Sequence, residues 1–209
     1  MKTIPPNPKR LNELRKEKSM VLIKPDAVAR HLVGEILQRF ERKGFRIAAM
    51  KLVLPTRKQA EKHYTDSEDW LTGSGQRTYD GYIEKGLKPP MKPRDLGLNT
   101  RRRLIESLLV GPLVALVLEG PHVIEVVRKM RGATSPQLAD VGTIGFDYSL
   151  ESYELADSGD WAIKNIIHAS DSPENAKVEI ANWFSKSELF EYKTAAEDVL
   201  YSKNWHDKK

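Results

Sequence analysis

Histidine is the residue type in this sequence that best supports chemistry at neutral pH, because one imidazole nitrogen can act as a nucleophile while the other holds a proton. The chain of 209 residues contains no cysteine, which excludes a disulfide framework, a thiolate metal site and a cysteine nucleophile. Its five histidines are His31, His63, His122, His168 and His206. No two of them have the His-x-x-x-His spacing of a helical metal site, so the sequence does not predict structural zinc.

Positive charge is concentrated in two segments. The net charge is +5; residues 1–20 contain six basic and two acidic side chains, and residues 77–103 contain eight basic and three acidic ones. Such segments can attract polyanions such as nucleotides or RNA, and solvated loop and helix surface is the alternative interpretation. Arg101, Arg102 and Arg103 are consecutive. On a helix, at most one or two of them can face a single site.

The composition predicts a folded domain of ordinary size. Hydrophobic residues make up 40% of the chain and charged residues 30%, which allows a normal core. No run approaches the ~18 consecutive apolar residues of a membrane span. Residues 1–19 lack the apolar segment of a signal peptide. We therefore expect a cytoplasmic protein without a membrane partner.

Short apolar runs and helical periodicity alternate in the first part of the chain. They predict a buried strand over residues 20–23, a helix that begins at Ala27, and a second strand over residues 45–54. Gly44 follows two basic residues and should end the first helix as a C-cap. A capping box at residues 56–59 should begin the next helix.

The second part of the chain continues this alternation. Residues 112–118 are nearly all apolar, as in a strand that is buried on both faces, and an amphipathic helix is predicted over residues 123–130. A last short strand is predicted over residues 165–168. Ser172 should begin the helix that follows, because proline occupies its first position.

Two segments interrupt the periodicity. Residues 66–99 are rich in glycine and proline, and we expect a long irregular excursion there with one short helix around residues 79–84. Residues 132–164 are rich in Gly, Ser, Thr and Asp and are predicted to form a second long loop. Structureless loops of this length are unusual inside a compact domain and are usually functional or disordered.

Three groups of motifs occur in an order that is typical of one enzyme family. The first is IKPDAV at residues 23–28 with KGF at residues 43–45, the second is GATSP at residues 132–136, and the third is NIIHASDS at residues 165–172. In number and order these motifs resemble the nucleoside diphosphate kinases. The resemblance covers roughly residues 20–65, 104–145 and 162–193.

The resemblance implies an α+β fold with a ferredoxin-like βαββαβ order, in which helices cover a four-stranded antiparallel sheet. It divides the chain into a basic N-terminal extension (1–19), a kinase-like domain (20–195) and a C-terminal tail (196–209). Two insertions, about residues 66–99 and 146–160, separate the matching parts of the domain.

The resemblance also implies an activity. The terminal phosphoryl group of a nucleoside triphosphate such as ATP or GTP would pass to a nucleoside diphosphate by a ping-pong mechanism, through a phosphohistidine at His168. Glu179 would accept a hydrogen bond from the second ring nitrogen and so fix the tautomer and ring angle. Lys24 and Tyr64 would lie beside the transferred phosphate. The histidines without such a context are interpreted as structural: His63, His122 and His206.

The nucleotide ligands that the resemblance implies are Lys24, Leu104, Arg128, Thr134, Ala162 and Asn165. Arg128 and Thr134 would bind phosphates, and Asn165 would bind a sugar hydroxyl. Leu104 and Ala162 would make apolar contacts to the base, which predicts broad base tolerance. Mg²⁺ would arrive on the nucleotide phosphates without a direct protein ligand. The resemblance further implies a homo-oligomer.

The sequence departs from the family at one phosphate-binding position. The family loop Gly-Thr-Ile-Arg is Gly-Thr-Ile-Gly here and ends at Gly145. Phosphoryl transfer depends on electrostatic stabilisation, so losing a cation without replacement should be costly. Arg101 shares a helix face with Leu104 and is the predicted replacement, with a solvated basic surface as the alternative. No aromatic residue clearly matches the one that stacks on the base.

Two other functions compete with this prediction. A kinase-fold protein that has lost catalysis can serve as an adaptor or nucleic-acid binder, which Gly145 and the basic insertion favour. The joint presence of His168, Glu179 and Lys24 argues against a lost activity. An RNA-binding module is the second alternative, but such modules expose aromatic residues on their strands, and the predicted strands offer mainly Val, Leu and Ile.

Overall fold

Four strands form one antiparallel sheet in a computed structural model that describes residues 7–202. The strands are β1 (Lys18–Ile23), β2 (Arg46–Val53), β3 (Leu113–Glu119) and β4 (Ile167–Ala169), and their order across the sheet is β2-β3-β1-β4. All three pairings are antiparallel. This arrangement confirms the predicted α+β, ferredoxin-like fold.

The helices of the described chain are α1 (Pro8–Arg15), α2 (Pro25–Ala29), α3 (Val33–Lys43), α4 (Arg57–His63), α5 (Glu68–Glu84), α6 (Pro93–Leu109), α7 (Val123–Arg131), α8 (Ile144–Tyr148), α9 (Tyr153–Ser158), α10 (Pro173–Trp183) and α11 (Glu197–Tyr201). Within residues 7–202, none of them is both long and apolar enough to span a membrane. Helix α1 and the first residues of β1 lie in the segment predicted as an N-terminal extension. His206 lies outside the described residues.

Apolar side chains cover both faces of the sheet. Along β1, Val21 and Ile23 belong to a cluster with side chains of α3 and α7. Met20 and Leu22 point to the other face, where they join side chains of α6 and α10. This alternation follows from the two-residue period of a strand. Helices on both faces explain why β3 is buried along its entire length.

Local signals define the helix ends. The predicted C-cap Gly44 adopts a left-handed conformation with φ 97°, which glycine tolerates without steric cost. The predicted capping box is present, since Thr56 and Gln59 each accept a hydrogen bond from the main-chain N–H of the other. The helix predicted from Ala27 is instead two helices, α2 and α3. His31, with φ 59°, lies in the break between them.

Residues 66–99 are largely helical, which corrects the prediction of an irregular excursion. Helices α5 and α6 form a hairpin in which two glycines lie at the contact. A Cβ on Gly75 would lie 1.6 Å from the Pro93 oxygen, and one on Gly97 would lie 2.0 Å from the Leu71 oxygen. These glycines allow the two backbones to approach, although in the sequence they resemble helix breakers.

The second interruption is also more regular than predicted. Within residues 132–164, a 3₁₀ turn (Pro136–Leu138) precedes α8 and α9. Thr143 and Ser152 cap these short helices by accepting a hydrogen bond from a main-chain N–H of the first turn. Helices of five and six residues are too short to produce a periodic pattern, so the sequence suggested only a loop.

Replacing Gly97 tests the close hairpin contact. Gly97→Ala should lower the free energy of unfolding by at least about 1–3 kcal/mol, because its methyl group would overlap a main-chain oxygen. Gly81→Ala is the matched control, since Gly81 lies in α5 with no atom within 4 Å of an added Cβ. Alanine there should raise stability by roughly 0.5–1 kcal/mol. Denaturant unfolding measures both changes, and equal stabilities would contradict the packing role.

Candidate active site

The pairing of β1 with β4 brings together Lys24, which follows β1, and His168, which lies in β4. Strands β1 and β4 are neighbours, with Leu22 opposite His168. Lys24 directly follows β1, and its main-chain N–H donates to the Ile166 oxygen at 2.9 Å. Leu22 and Lys24 are two residues apart and opposite residues of a ladder share a face. The sheet therefore places Lys24 and His168 on the same face, at diagonal positions of the β1–β4 ladder, although they are far apart in sequence.

The chain is strained immediately before β4. Ile166 is fully buried and has φ 71°, a conformation that is exceptional for a β-branched residue. It is held there because its N–H donates to Asp26 Oδ2 at 3.2 Å while its oxygen accepts from Lys24. Strain of this kind persists only where the surroundings over-determine it. The turn at Ile166 lies beside the predicted ligand Asn165.

His168 is oriented by a carboxylate. Its Nε2 lies 2.8 Å from Glu179 Oε1, and the other oxygen of Glu179 accepts a hydrogen bond from the Ser170 hydroxyl. Ser170 in turn accepts the Met20 main-chain N–H at 3.0 Å. A carboxylate only accepts hydrogen bonds, so in the neutral ring Nε2 carries the proton and Nδ1 has the lone pair. This geometry agrees with the predicted pairing of His168 and Glu179.

His63 is part of the site, although the sequence suggested a structural role for it. Its ring centroid lies 4.4 Å from that of His168, and its Nδ1 accepts the Trp183 indole N–H at 3.3 Å. Burial chiefly, with the nearby His168 and Lys24, holds the pKa of His63 well below its usual value. A neutral His63 adds no charge beside His168. The sequence signal that could have identified His63 as a site residue is its position directly before the predicted site residue Tyr64.

Lys24 is a buried cation. Its Nζ donates to Asn165 Oδ1 at 2.7 Å and to the Ile163 oxygen at 3.5 Å. Burial is the main cause that lowers the pKa of Lys24; the carboxylate of Asp26 opposes this shift, and the charge of Arg131 adds to it. Lys24 therefore lies where an additional anion would be favourable.

A cleft next to Asn165 carries further cations. It is lined in part by Arg128, Arg131, Thr134 and Asp171. His168 and Lys24 are not among its lining residues, but Asn165 Nδ2 donates to the Thr134 oxygen at 3.0 Å and so connects the two parts. The structure thus places the predicted ligands Arg128 and Thr134 in the cleft, and Asn165 links Thr134 to Lys24 by hydrogen bonds.

The remaining predicted site residues besides Arg101 are Tyr64, Leu104 and Ala162. The ring of Tyr64 is 6.5 Å from that of His168, between centroids. Burial raises the pKa of Tyr64, so its hydroxyl stays protonated. Leu104 packs against the cluster that contains Tyr64. Ala162 is buried in the segment that leads into Asn165.

The structure does not bring Arg101 into the cleft. Its Nε donates to the main-chain oxygen of Tyr64 at 2.9 Å, so the guanidinium supports the end of α4. Arg102 and Arg103 both bind the carboxylate of Asp160. Two of the three consecutive arginines therefore meet at one carboxylate and the third contacts α4, within the limit of one or two per site that helical geometry sets.

The arrangement suits one class of reaction. A neutral imidazole with a proton-free Nδ1 is a nucleophile at physiological pH. The buried ammonium of Lys24 and the guanidinium groups of the cleft favour an anionic electrophile and stabilise charge that develops on it. Transfer of a phosphoryl group meets both conditions.

Comparison with known proteins agrees with this geometry. The sequence model of the family described as "Nucleoside diphosphate kinase" matches residues 17–72 and 99–189. The nucleoside diphosphate kinase of Pyrobaculum aerophilum is 43% identical over 180 residues, which are 84% of this chain and 98% of that protein. Nucleoside diphosphate kinase 3 of Spinacia oleracea is 39% identical over 90% of this chain and 97% of its own length.

Solved structures show the same relationship. A crystal structure of an NDP kinase from Pyrobaculum aerophilum superposes with a TM-score of 0.81 at 41% identity, over 84% of this chain and all of that one. A nucleoside-diphosphate kinase of Borrelia burgdorferi, described as a transition state mimic with bound vanadate and ADP, gives a TM-score of 0.72 at 32% identity, over 89% of this chain and 97% of that one. On its sequence and its fold, this chain belongs to the nucleoside diphosphate kinase family.

Proposed function

We propose that this protein transfers the terminal phosphoryl group of a nucleoside triphosphate to a nucleoside diphosphate, with His168 as the intermediate carrier. The hydrogen bond from His168 Nε2 to Glu179, beside buried Lys24, carries the proposal. It leaves Nδ1 as the attacking atom. The related kinase that holds vanadate and ADP supports a phosphoryl-transfer reaction at this fold.

The reaction has two balanced steps. Nδ1 of His168 attacks the terminal phosphorus of the triphosphate in line, and the bond to the bridging oxygen breaks so that the diphosphate leaves. The ring, positively charged while Nδ1 carries the phosphoryl group, is stabilised by Glu179 through Nε2. A terminal oxygen of a second diphosphate then attacks the phosphorus and releases neutral His168.

The surrounding groups would hold and polarise the substrate. Lys24, which is on the same sheet face as His168, would bind the transferred phosphoryl group, to which the Tyr64 hydroxyl would donate. Arg128 would bind the phosphate chain in forked geometry, and Thr134 would donate its hydroxyl. Asn165, which already contacts Lys24, would bind a sugar hydroxyl.

The base contacts are proposed to be apolar. Leu104 and Ala162 offer no donor or acceptor side-chain atoms that distinguish one base from another. Purine and pyrimidine nucleotides should therefore both be substrates. The alternative of an inactive adaptor is not favoured, since the oriented histidine and the buried lysine are both present.

The residues present fit Mg²⁺ that arrives on the nucleotide. Among residues 7–202, the cluster of potential metal ligands is His63, His168 and Glu179, which offers two nitrogens and suits Mg²⁺ poorly. Asp171 is exposed and lines the cleft, where it would hydrogen-bond the waters of a bound Mg²⁺. When bound, Mg²⁺ would neutralise charge on the phosphates.

We further propose a cytoplasmic homo-oligomer, at least a dimer. Strand β2 is an edge of the sheet, and the large apolar side chains of Met50, Leu52 and Leu54 are exposed on and just after it. Paired edge strands would bury this surface. Light scattering should report a multiple of 23.8 kDa; a particle of that mass at micromolar concentration would contradict assembly.

Replacing the nucleophile tests the proposed function. His168→Asn should abolish both nucleotide exchange and labelling by ATP that carries a radioactive terminal phosphate. The label on the unchanged protein should be acid-labile and base-stable. His122→Asn is the matched control, because His122 is exposed and in a left-handed conformation that asparagine tolerates. Labelling that persists in folded His168→Asn would place the nucleophile elsewhere.

Glu179 tests the orientation of the ring. Nitrogen-15 NMR should find the His168 proton on Nε2 in the neutral protein. Glu179→Ala should yield a mixture of tautomers and lower kcat by roughly ten- to a hundredfold, about 1.4–2.7 kcal/mol. Glu174→Ala, at an exposed position of the same helix, should change neither quantity. A proton on Nδ1 of the unchanged protein would refute the proposed pairing.

A further inference from the structure

Gly145 lies directly against the main chain of Arg131. Gly145 is buried, and a Cβ built on it would lie 3.0 Å from the Arg131 oxygen. A side chain at position 145 would therefore require this neighbour to shift. Position 145 is where the family has a phosphate-binding arginine. The residue that packs against this position here, Arg131, is also an arginine.

Arg131 also faces the cleft. It is half-buried at the end of α7 and lines the cleft together with Arg128 and Thr134. Its Nε donates to the Gly132 oxygen at 3.2 Å, and a terminal nitrogen donates to Thr134 Oγ1 at 3.3 Å. Within the described part of the chain, no carboxylate forms an ion pair with Arg131, unlike Arg103, which binds Asp157 at 2.6 Å.

Arg128 and Lys129 line the same cleft as Arg131, together with the carboxylates of Glu17, Glu125, Asp140 and Asp171. Burial is the first cause that lowers the pKa of Arg131, and the charge of Arg128 adds to it, while Tyr153 and Asp171 oppose it. The charge of Arg131 also lowers the pKa of Lys24. Because no carboxylate of the described residues pairs with Arg131, a bound anion would offset both the desolvation of its guanidinium and the repulsion by Arg128.

We propose that Arg131 binds an oxygen of the nucleotide's phosphate chain and supplies the cation that position 145 lacks. This inference rests on the proposed function. It replaces Arg101 in that role, since the guanidinium of Arg101 is committed to the Tyr64 main-chain oxygen. A forked guanidinium beside Thr134 provides several N–H donors that remain available for phosphate oxygens.

Arg131→Met tests the proposal, because methionine keeps an unbranched apolar stem without charge. Arg42→Met is the control, at an exposed position in the last turn of α3. We expect kcat/KM to fall at least tenfold in Arg131→Met, about 1.4 kcal/mol, and ADP to bind at least tenfold more weakly in calorimetry. The control should stay within twofold of the unchanged protein in both measurements.

Chemical rescue distinguishes the loss of the guanidinium charge from damage to the protein structure. In Arg131→Ala, millimolar guanidinium chloride should restore part of kcat/KM, while the same concentration of sodium chloride should not. Values of kcat/KM and ADP affinity for Arg131→Met within twofold of the unchanged protein would overturn the inference. So would a loss in folded Arg131→Ala that guanidinium does not reverse.

The design distinguishes this inference from the proposed function. If the unchanged protein is labelled on His168 and exchanges phosphate while Arg131→Met does so equally well, the inference fails and the function stands. If ATP does not label the unchanged protein, the function fails. The ADP affinities of Arg131→Met and Arg42→Met still decide whether Arg131 belongs to an anion site, since that measurement requires no turnover.

Discussion

The hydrogen bond from His168 Nε2 to the Glu179 carboxylate is the interaction on which the proposed chemistry of this molecule depends. It determines which ring nitrogen is free of a proton and in which direction that nitrogen points. Glu179 is itself fixed by Ser170, which binds the main chain of β1 at Met20. The proposed nucleophile is therefore oriented by the central sheet, whose cores on both faces resist displacement.

The same sheet holds a strained backbone and a buried charge in place. The conformation of Ile166 costs of order 1–3 kcal/mol, and the buried ammonium of Lys24 loses hydration. Both are tied to the β1–β4 edge through Asp26 and the main chain. Because folding compensates for these costs, the buried ammonium of Lys24 is in place before a ligand binds. Electrostatic preorganisation of this kind is usually the largest single term in catalysis of group transfer.

The sequence predicted the elements that depend on local periodicity, and it missed those that depend on contacts between distant segments. The strands and the pairing of His168 with its carboxylate follow from short apolar runs and a motif. The role of Gly75 and Gly97 requires the facing backbone of the hairpin, so their sequence signal resembles a loop. His63 becomes a neighbour of His168 only through the packing of α4 and β4. Arg101 shares a helix face with Leu104, but its guanidinium contacts the main-chain oxygen of Tyr64 and not the cleft.

The position of the phosphoryl group on the histidine tests this account most directly. The phosphorylated protein can be digested under alkaline conditions, which preserve phosphohistidine, and its two isomers can be separated and identified by phosphorus NMR. The hydrogen bond between Nε2 and Glu179 predicts that the phosphorus is bound to Nδ1 of His168. Phosphorus on Nε2, or on any other residue, would contradict the account.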